Sequence, residues 1–150
     1  MIIMAIDPGK SGAIAVHYGG DRVIECFNMP DGVNDLERFV GMMPNPVKAY
    51  LEAQHAFPGN GAQAMFTFGR GYGQIEGVLA ANKIEIVGVT PQKWQKEFQL
   101  GRVKDHASKH AWKHHLRLAA CRLYPEHVVT LQQADAMLIL KYAMKQEGVQ

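Results

Sequence analysis

The stretch "IIMAIDPGKSGAIAV", residues 2–16, decides how this chain begins to fold. One apolar run ends at Asp7, a turn signal of proline, serine and glycines follows, and a second apolar run starts at Ala13. This pattern predicts two antiparallel strands joined by a tight turn. Asp7 then lies at the rim of a sheet, where a rigid scaffold can present a reactive side chain to solvent. Aspartate also commonly caps turns, so this stretch alone leaves both a structural and a functional role open for Asp7.

The composition is typical of a soluble globular protein. The 150 residues, 47% hydrophobic and 20% charged, predict one domain, residues 1–150, with a substantial core. No apolar run approaches the roughly 20 residues that span a bilayer, and the first run reaches Asp7 too early for a signal peptide. Cys26 and Cys121 lie far apart without metal-ligand spacing, so we expect reduced thiols and a cytoplasmic location.

The net charge of +2 conceals an uneven distribution. From Lys93 to Arg122 there are eight basic residues, two acidic residues and four histidines. Within this block Lys109, Lys113 and Arg117 follow one another at four-residue spacing, which places them along one face of a helix. Such a basic face predicts contacts with the phosphates of a polyanion, with an ordinary solvated helix face as the alternative.

The order of the predicted elements indicates an α/β fold. Strands are expected at 1–6, 12–18, 22–28, 47–52 and 84–89, and helices at 34–43, about 72–83, 91–98, 106–124 and 132–145. A glycine-rich loop is expected between the fourth strand and the second helix. Three antiparallel strands followed by helix-linked strands predict a mixed five-stranded sheet with helices on both faces.

Three carboxylates stand out in this arrangement. The first and fourth strands end on Asp7 and Glu52, and the ends of parallel neighbours lie about 4.8 Å apart. Asp135 falls in the first turn of the last helix, where the helix dipole favours it, but its apolar neighbours indicate that a cation neutralises it. An oxygen-only site of this kind suits Mg²⁺ or Mn²⁺. Beside a basic face, it predicts phosphodiester cleavage assisted by two metal ions.

The chain resembles the RuvC-like Holliday junction resolvases of the RNase H-like superfamily, particularly their short phage forms. The resemblance covers nearly the whole chain in order and spacing. The segments that carry it are "AIDPGKSGAIAV" (5–16), "MP" (29–30), "AYLEAQHAFPG" (49–59), "FTFGRGYGQIEGVLAA" (66–81), "VTPQKWQKEF" (89–98), "KHHLRLAACRLYP" (113–125) and "ADAMLIL" (134–140).

This resemblance implies a dimeric, magnesium-dependent endonuclease that nicks four-way DNA junctions in pairs during recombination and repair, in a bacterial or phage-infected cell. It places Asp7, Glu52 and Asp135 in the positions of the family's catalytic acids and Lys113 in that of a lysine near the scissile phosphate. The family carries a further acid or a histidine three or four residues before the last aspartate. This chain has Leu131 and Gln132 there, which leaves the second metal weakly held.

Other residues are expected to contact DNA. The family places an aromatic residue in the loop after the second acid, where it stacks at the junction centre, and either His55 or Phe57 corresponds to it here. A core position is the alternative for Phe57. Arg70, in the glycine-rich segment, is a further expected DNA contact. His110 and His114 have a spacing that can bind zinc, although histidines at this helical spacing are usually bystanders.

Three other functions remain open at this point. The first is a junction-binding protein with weak or no cleavage, which the absent fourth acid favours. The second is an RNA-directed nuclease of the same superfamily. The third, an actin-like ATP-binding protein, would need a second Asp-Gly phosphate loop and a larger chain. We expect no small-molecule substrate and no membrane partner.

Overall fold

The computed structural model describes residues 1–20, 23–44, 47–55, 59 and 61–149. Its strands are β1 (Ile2–Asp7), β2 (Ala13–His17), β3 (Ile24–Asn28), β4 (Val47–Glu52) and β5 (Glu85–Val89). Its helices are α1 (Val33–Gly41), α2 (Ala62–Ala81), α3 (Pro91–Glu97), α4 (Lys109–Leu123) and α5 (Ala134–Gln146), with a 3₁₀ turn at Val103–Asp105. None of the helices in these described ranges is long and apolar enough to cross a membrane.

The five strands form one mixed sheet in the order β3-β2-β1-β4-β5. β1 is the central strand, antiparallel to β2 and parallel to β4, and every residue of it is buried. A strand that is covered on both faces reads as a continuous apolar run, which explains the composition of residues 2–6.

Alternating residues along the strands point to opposite faces of the sheet and belong to two separate hydrophobic cores. Ile2, Met4 and Ile6 pack beneath α1 and α2, whereas Ile3 and Ala5 pack beneath α3, α4 and α5. Helices therefore cover both faces, and the predicted mixed five-stranded α/β architecture is confirmed. The observed strand ends differ from the predicted ones by no more than two residues.

The prediction for the start of α2 was wrong. The helix begins at Ala62 instead of about residue 72, so most of the expected glycine-rich loop is helical. Each glycine in a helix costs about 1 kcal/mol relative to alanine, but the alanines, glutamine and methionine of residues 62–65 are good helix formers. Buried Ile75, Val78 and Leu79 anchor the helix to the sheet, and extending an anchored helix costs much less than nucleating one.

The predicted starts of α4 and α5 were also early. α4 begins at Lys109 because the Ser108 hydroxyl accepts a hydrogen bond from the Ala111 N–H (3.0 Å), which caps the helix there. α5 begins at Ala134, two residues later than predicted. Thr130 and Gln133 form hydrogen bonds with each other just before it, at 3.3 and 3.4 Å.

The turn between β1 and β2 is held at Gly12. Its N–H donates to the Gly9 carbonyl, and its own carbonyl accepts from the Met29 N–H and from the side-chain amide of Gln132, all at 3.0 Å. A Cβ atom at Gly12 would lie 2.0 Å from the carbonyl oxygen of Asp7. Only glycine fits this turn, which connects β1, β3 and the segment before α5.

We therefore expect Gly12→Ala to lower the free energy of unfolding by more than about 2 kcal/mol, because the backbone must move to relieve the clash. Gly88→Ala is the matched control: a Cβ there meets nothing within 4 Å, so its effect should stay below about 0.5 kcal/mol. Chemical denaturation of both variants measures the difference. Equal stabilities would contradict the close packing of this turn.

Candidate active site

The three carboxylates singled out in the sequence meet at one end of the sheet. Because Ile6 pairs with Leu51 in the parallel β1–β4 ladder, Asp7 and Glu52 end neighbouring strands at the same edge. Both have the strand parity of residues that face α5, and Asp135 lies in the first turn of that helix. All three are buried, with exposed fractions of 9% for Asp7, 6% for Glu52 and 8% for Asp135.

Burial makes this concentration of negative charge costly. Desolvation, followed by the charges of Asp135 and Glu52, raises the pKa of Asp7 to about 8. Burial also raises the pKa of Glu52 to about 7, against the opposing effect of a hydrogen bond from Trp94. Carboxylates with pKa values perturbed in this way are typical of functional sites.

Lys113 is the cation within this cluster. Its Nζ atom forms an ion pair with Oδ2 of Asp135, and its side chain is still 45% exposed. Burial opposes the charge on its ammonium group, but the carboxylates of Asp135, Asp7 and Glu52 outweigh that cost and hold its pKa above the usual value. Lys113 therefore balances part of the acidic charge and remains in contact with solvent.

The donor set fits a hard divalent cation. The three acids offer only oxygen atoms, and Oδ1 of Asp135 is buried without a hydrogen-bond partner. Within the described ranges, however, no three His, Cys, Asp or Glu side chains are arranged to hold a metal ion. In the observed arrangement Lys113 neutralises the charge of Asp135. Oδ1 of Asp135 has no hydrogen-bond partner, and the pKa of Asp7 is raised.

Two residues at this site escaped the sequence analysis. The Trp94 indole N–H donates to Oε1 of Glu52 at 3.0 Å, and the Gln54 side-chain amide donates to Oε2 at 2.7 Å. Trp94 comes from α3, 42 residues further along the chain, so no local spacing could reveal the contact. Gln54 follows Glu52 by two residues, a separation at which strand side chains share a face, and that signal was readable.

Gln132, which stands where the family has a further acid or histidine, forms a hydrogen bond with the backbone. Its side-chain amide nitrogen donates to the Gly12 carbonyl, so the side chain holds the turn after Asp7. The next residue, Gln133, similarly donates to the Cys26 carbonyl at 3.2 Å. Both glutamines thereby fix the start of α5, and with it Asp135, against the sheet.

The predicted DNA contacts are spread over three regions. Lys109, Lys113 and Arg117 lie on α4 as expected, and neither Lys109 nor Arg117 forms an ion pair within the described chain. His55 is exposed just beyond β4, whereas Phe57 lies outside the described residues.

Arg70 lies on α2, where it lines a groove of about 520 Å³. The groove runs beside the turn that follows Asp7 and is lined by Gly9, Lys10, Met29, Pro30, Asp31, Gly32, Val33, Leu36, Thr67, Arg70, Gly71, Gln74 and Ile75. Arg70 therefore lies on the face of the sheet opposite the carboxylates, at the same end of the sheet.

The histidines on α4 and His106, just before it, form ring contacts with one another. Nε2 of His110 lies 3.0 Å from Nε2 of His114, so one ring donates to the other. His106 and His115 pack against Trp112. Within the part of the chain that the structure describes, no third metal-binding side chain joins the His110–His114 pair.

Comparison with known proteins gives matches among solved structures. No family model matches the chain, and no curated protein matches it either. The structure of RuvC from Thermus thermophilus is 16% identical over 99% of this chain and 98% of that chain, with a TM-score of 0.61. T. thermophilus RuvC in complex with a Holliday junction substrate is 12% identical over 99% and 97%, also with a TM-score of 0.61. The fold of this chain is thus the RNase H-like fold of RuvC, as its sequence resemblance implied.

Proposed function

We propose that this protein is a metal-dependent endonuclease that resolves four-way DNA junctions by paired nicks. The observation that carries the proposal is the meeting of three buried carboxylates and Lys113 at the ends of two parallel strands, in a RuvC fold. The fold neighbour bound to a Holliday junction supports branched DNA as the substrate class. DNA recombination and repair are the corresponding cellular processes.

Asp7, Glu52 and Asp135 would hold Mg²⁺, or Mn²⁺ in its place. Bound ions would activate water and stabilise the oxygen that leaves the phosphorus atom. Asp135 offers its unpartnered Oδ1 for this purpose, and Glu52 is oriented by two neutral donors. With Gln132 engaged at Gly12, a second ion would rely on these three carboxylates and on the phosphate of the substrate.

Lys113 has the properties of a group that acts on the scissile phosphate. Its ammonium group lies among the carboxylates yet is partly exposed, so a phosphate oxygen can approach it. There it would stabilise the negative charge that develops during cleavage. Lys109 and Arg117 continue the basic face away from the acids and would position the DNA backbone.

Paired nicking requires two active sites, and α2 offers a surface for a second copy of the chain. Its outward face carries Phe66, which is 69% exposed, together with a row of alanines and glycines. The glycines of this face have open space where a side chain would be, so a second helix can approach closely. The residues of this face are Ala62, Phe66, Gly69, Gly73, Gly77 and Ala80. We propose a homodimer in which the two α2 helices cross at this face.

Asp7→Asn and Glu52→Gln should lower nicking of a four-way junction on the order of 100-fold or more, because each removes a metal-binding charge. Junction binding should stay the same or tighten, since repulsion of phosphate falls.

With a cruciform plasmid and Mg²⁺, the unmodified dimer should form linear DNA within the lifetime of one complex. Full nicking by both variants would contradict the catalytic assignment, and binding without cleavage by the unmodified protein would favour the junction-binding alternative.

Lys113→Ala should slow single-turnover cleavage at saturating protein, whereas Lys109→Ala should chiefly weaken junction binding. Both residues neutralise phosphate, so each loss should reduce the slope of log affinity against log salt by about one. Only Lys113 lies beside the carboxylates, however. Binding titrations and cleavage rates measured across one salt series separate the two effects. Equal binding losses without a cleavage defect would leave Lys113 as an ordinary phosphate contact.

The metal-free protein should lose stability as the pH rises from about 4 to about 8. Unfolded Asp7 titrates near its ordinary pKa of about 3.9, whereas the folded carboxyl stays protonated up to about pH 8. The folded state therefore binds more protons in this window, and its relative stability falls as they are released. Asp7→Asn should flatten that fall in a series of thermal melts.

Mg²⁺ should raise the melting temperature more at pH 8 than at pH 6, and an equal or smaller rise at pH 8 would contradict the proposed ligand set.

A further inference from the structure

Both carboxylate oxygens of Glu52 receive hydrogen bonds from uncharged donors. The Trp94 indole N–H bonds to Oε1 at 3.0 Å, and the Gln54 amide bonds to Oε2 at 2.7 Å. The three side chains come from the end of β4, the residues just after it, and α3. Segment 89–98, which contains Trp94, has no part in the function proposed above other than this contact with Glu52.

The connection to α3 is short and firmly placed beside Glu52. Val89, the last residue of β5, pairs with Glu52 in the parallel ladder, and its carbonyl accepts from the Ala53 N–H at 2.7 Å. Two residues later Pro91 begins α3, where proline at the first helical position favours the helical backbone. Helix α3 thus directly follows the strand adjacent to Glu52, which brings the Trp94 indole to that carboxylate.

Packing alone does not account for a tryptophan here. Trp94 is 1% exposed and belongs to the core beneath α4 and α5, where an all-carbon side chain would fill space without any polar requirement. Its N–H can only donate, and burying it requires an acceptor. Here that acceptor is an oxygen of the one buried acid that ends β4.

The two donors orient Glu52 without bringing a positive charge to it. Lys113 acts differently on Asp135, because its ammonium group neutralises the carboxylate that it contacts. A carboxylate that is held by neutral N–H groups keeps both its direction and its charge for a cation, as the outer hydrogen bonds around metal ligands commonly ensure. We propose that Trp94 and Gln54 are positioning residues that set the orientation of Glu52 for divalent metal. This inference rests on the nuclease function proposed above.

Trp94→Phe removes the N–H and keeps an aromatic ring. The Mg²⁺ concentration for half-maximal junction nicking should rise about 10-fold or more. The calorimetric affinity for Mn²⁺ should fall to a similar extent, and junction binding should be unchanged. Trp112→Phe is the matched control, since it removes the other buried indole without touching Glu52. Equal metal requirements for the two variants would overturn the proposal.

A measurement on the metal-free protein tests the same contact without any activity. The chain has two tryptophans, so a ¹⁵N-labelled sample gives two indole N–H signals, which Trp94→Phe assigns. Glu52→Gln should shift the Trp94 signal and speed its exchange with solvent, while the Trp112 signal should stay in place. Mg²⁺ titration should also move the Trp94 signal. An unmoved Trp94 signal in Glu52→Gln would overturn the proposal.

Gln54→Met provides the second variant if Trp94→Phe does not fold. Gln54 is only half-buried, and methionine preserves its length while removing the donor. A raised Mg²⁺ requirement in this variant, with normal junction binding, supports the positioning role, and an unchanged requirement opposes it. Absence of nicking by the unmodified protein would instead refute the nuclease function, while the indole signals would still show whether Trp94 holds Glu52.

Discussion

The parallel pairing of β1 with β4 is the constraint on which the rest of this structure depends. It places the buried ends of two neighbouring strands side by side, and each of those ends is an acid. Parallel strands must be connected by a crossover, so helices have to cover the sheet faces, and that cover removes water from the acids. The same pairing therefore builds the core and creates the electrostatic problem at its edge.

The protein meets this problem in a different way at each acid. Asp7 resists ionisation, Glu52 is held by neutral N–H donors, and Asp135 shares its charge with Lys113. Their distinct partners make the three carboxylates chemically unequal.

The sequence indicated the sheet because its apolar runs end abruptly on Asp7 and Glu52, and it indicated Asp135 because apolar residues flank that acid. These signals are local in the sequence, and the apolar runs that carry them form the buried core. The contact of Trp94 with Glu52 is not local, since it depends on how β5 lies beside β4 and where α3 then turns. The first half of α2 was missed for another reason: glycine lowers helix propensity, but packing of the second half decides whether the helix forms. The cap at Ser108 was visible as a serine before an apolar helical pattern.

The turn at Gly12 limits what can change in a chain with this fold. Its carbonyl receives hydrogen bonds from the residue after β3 and from a side chain just before α5, so three distant segments meet at one peptide group. Adding or deleting one residue between Asp7 and Ala13 would shift β2 by one position against β1 and exchange its two faces. Loops elsewhere can lengthen at little cost, but the number of residues in this turn is fixed as firmly as the identity of any side chain in the site.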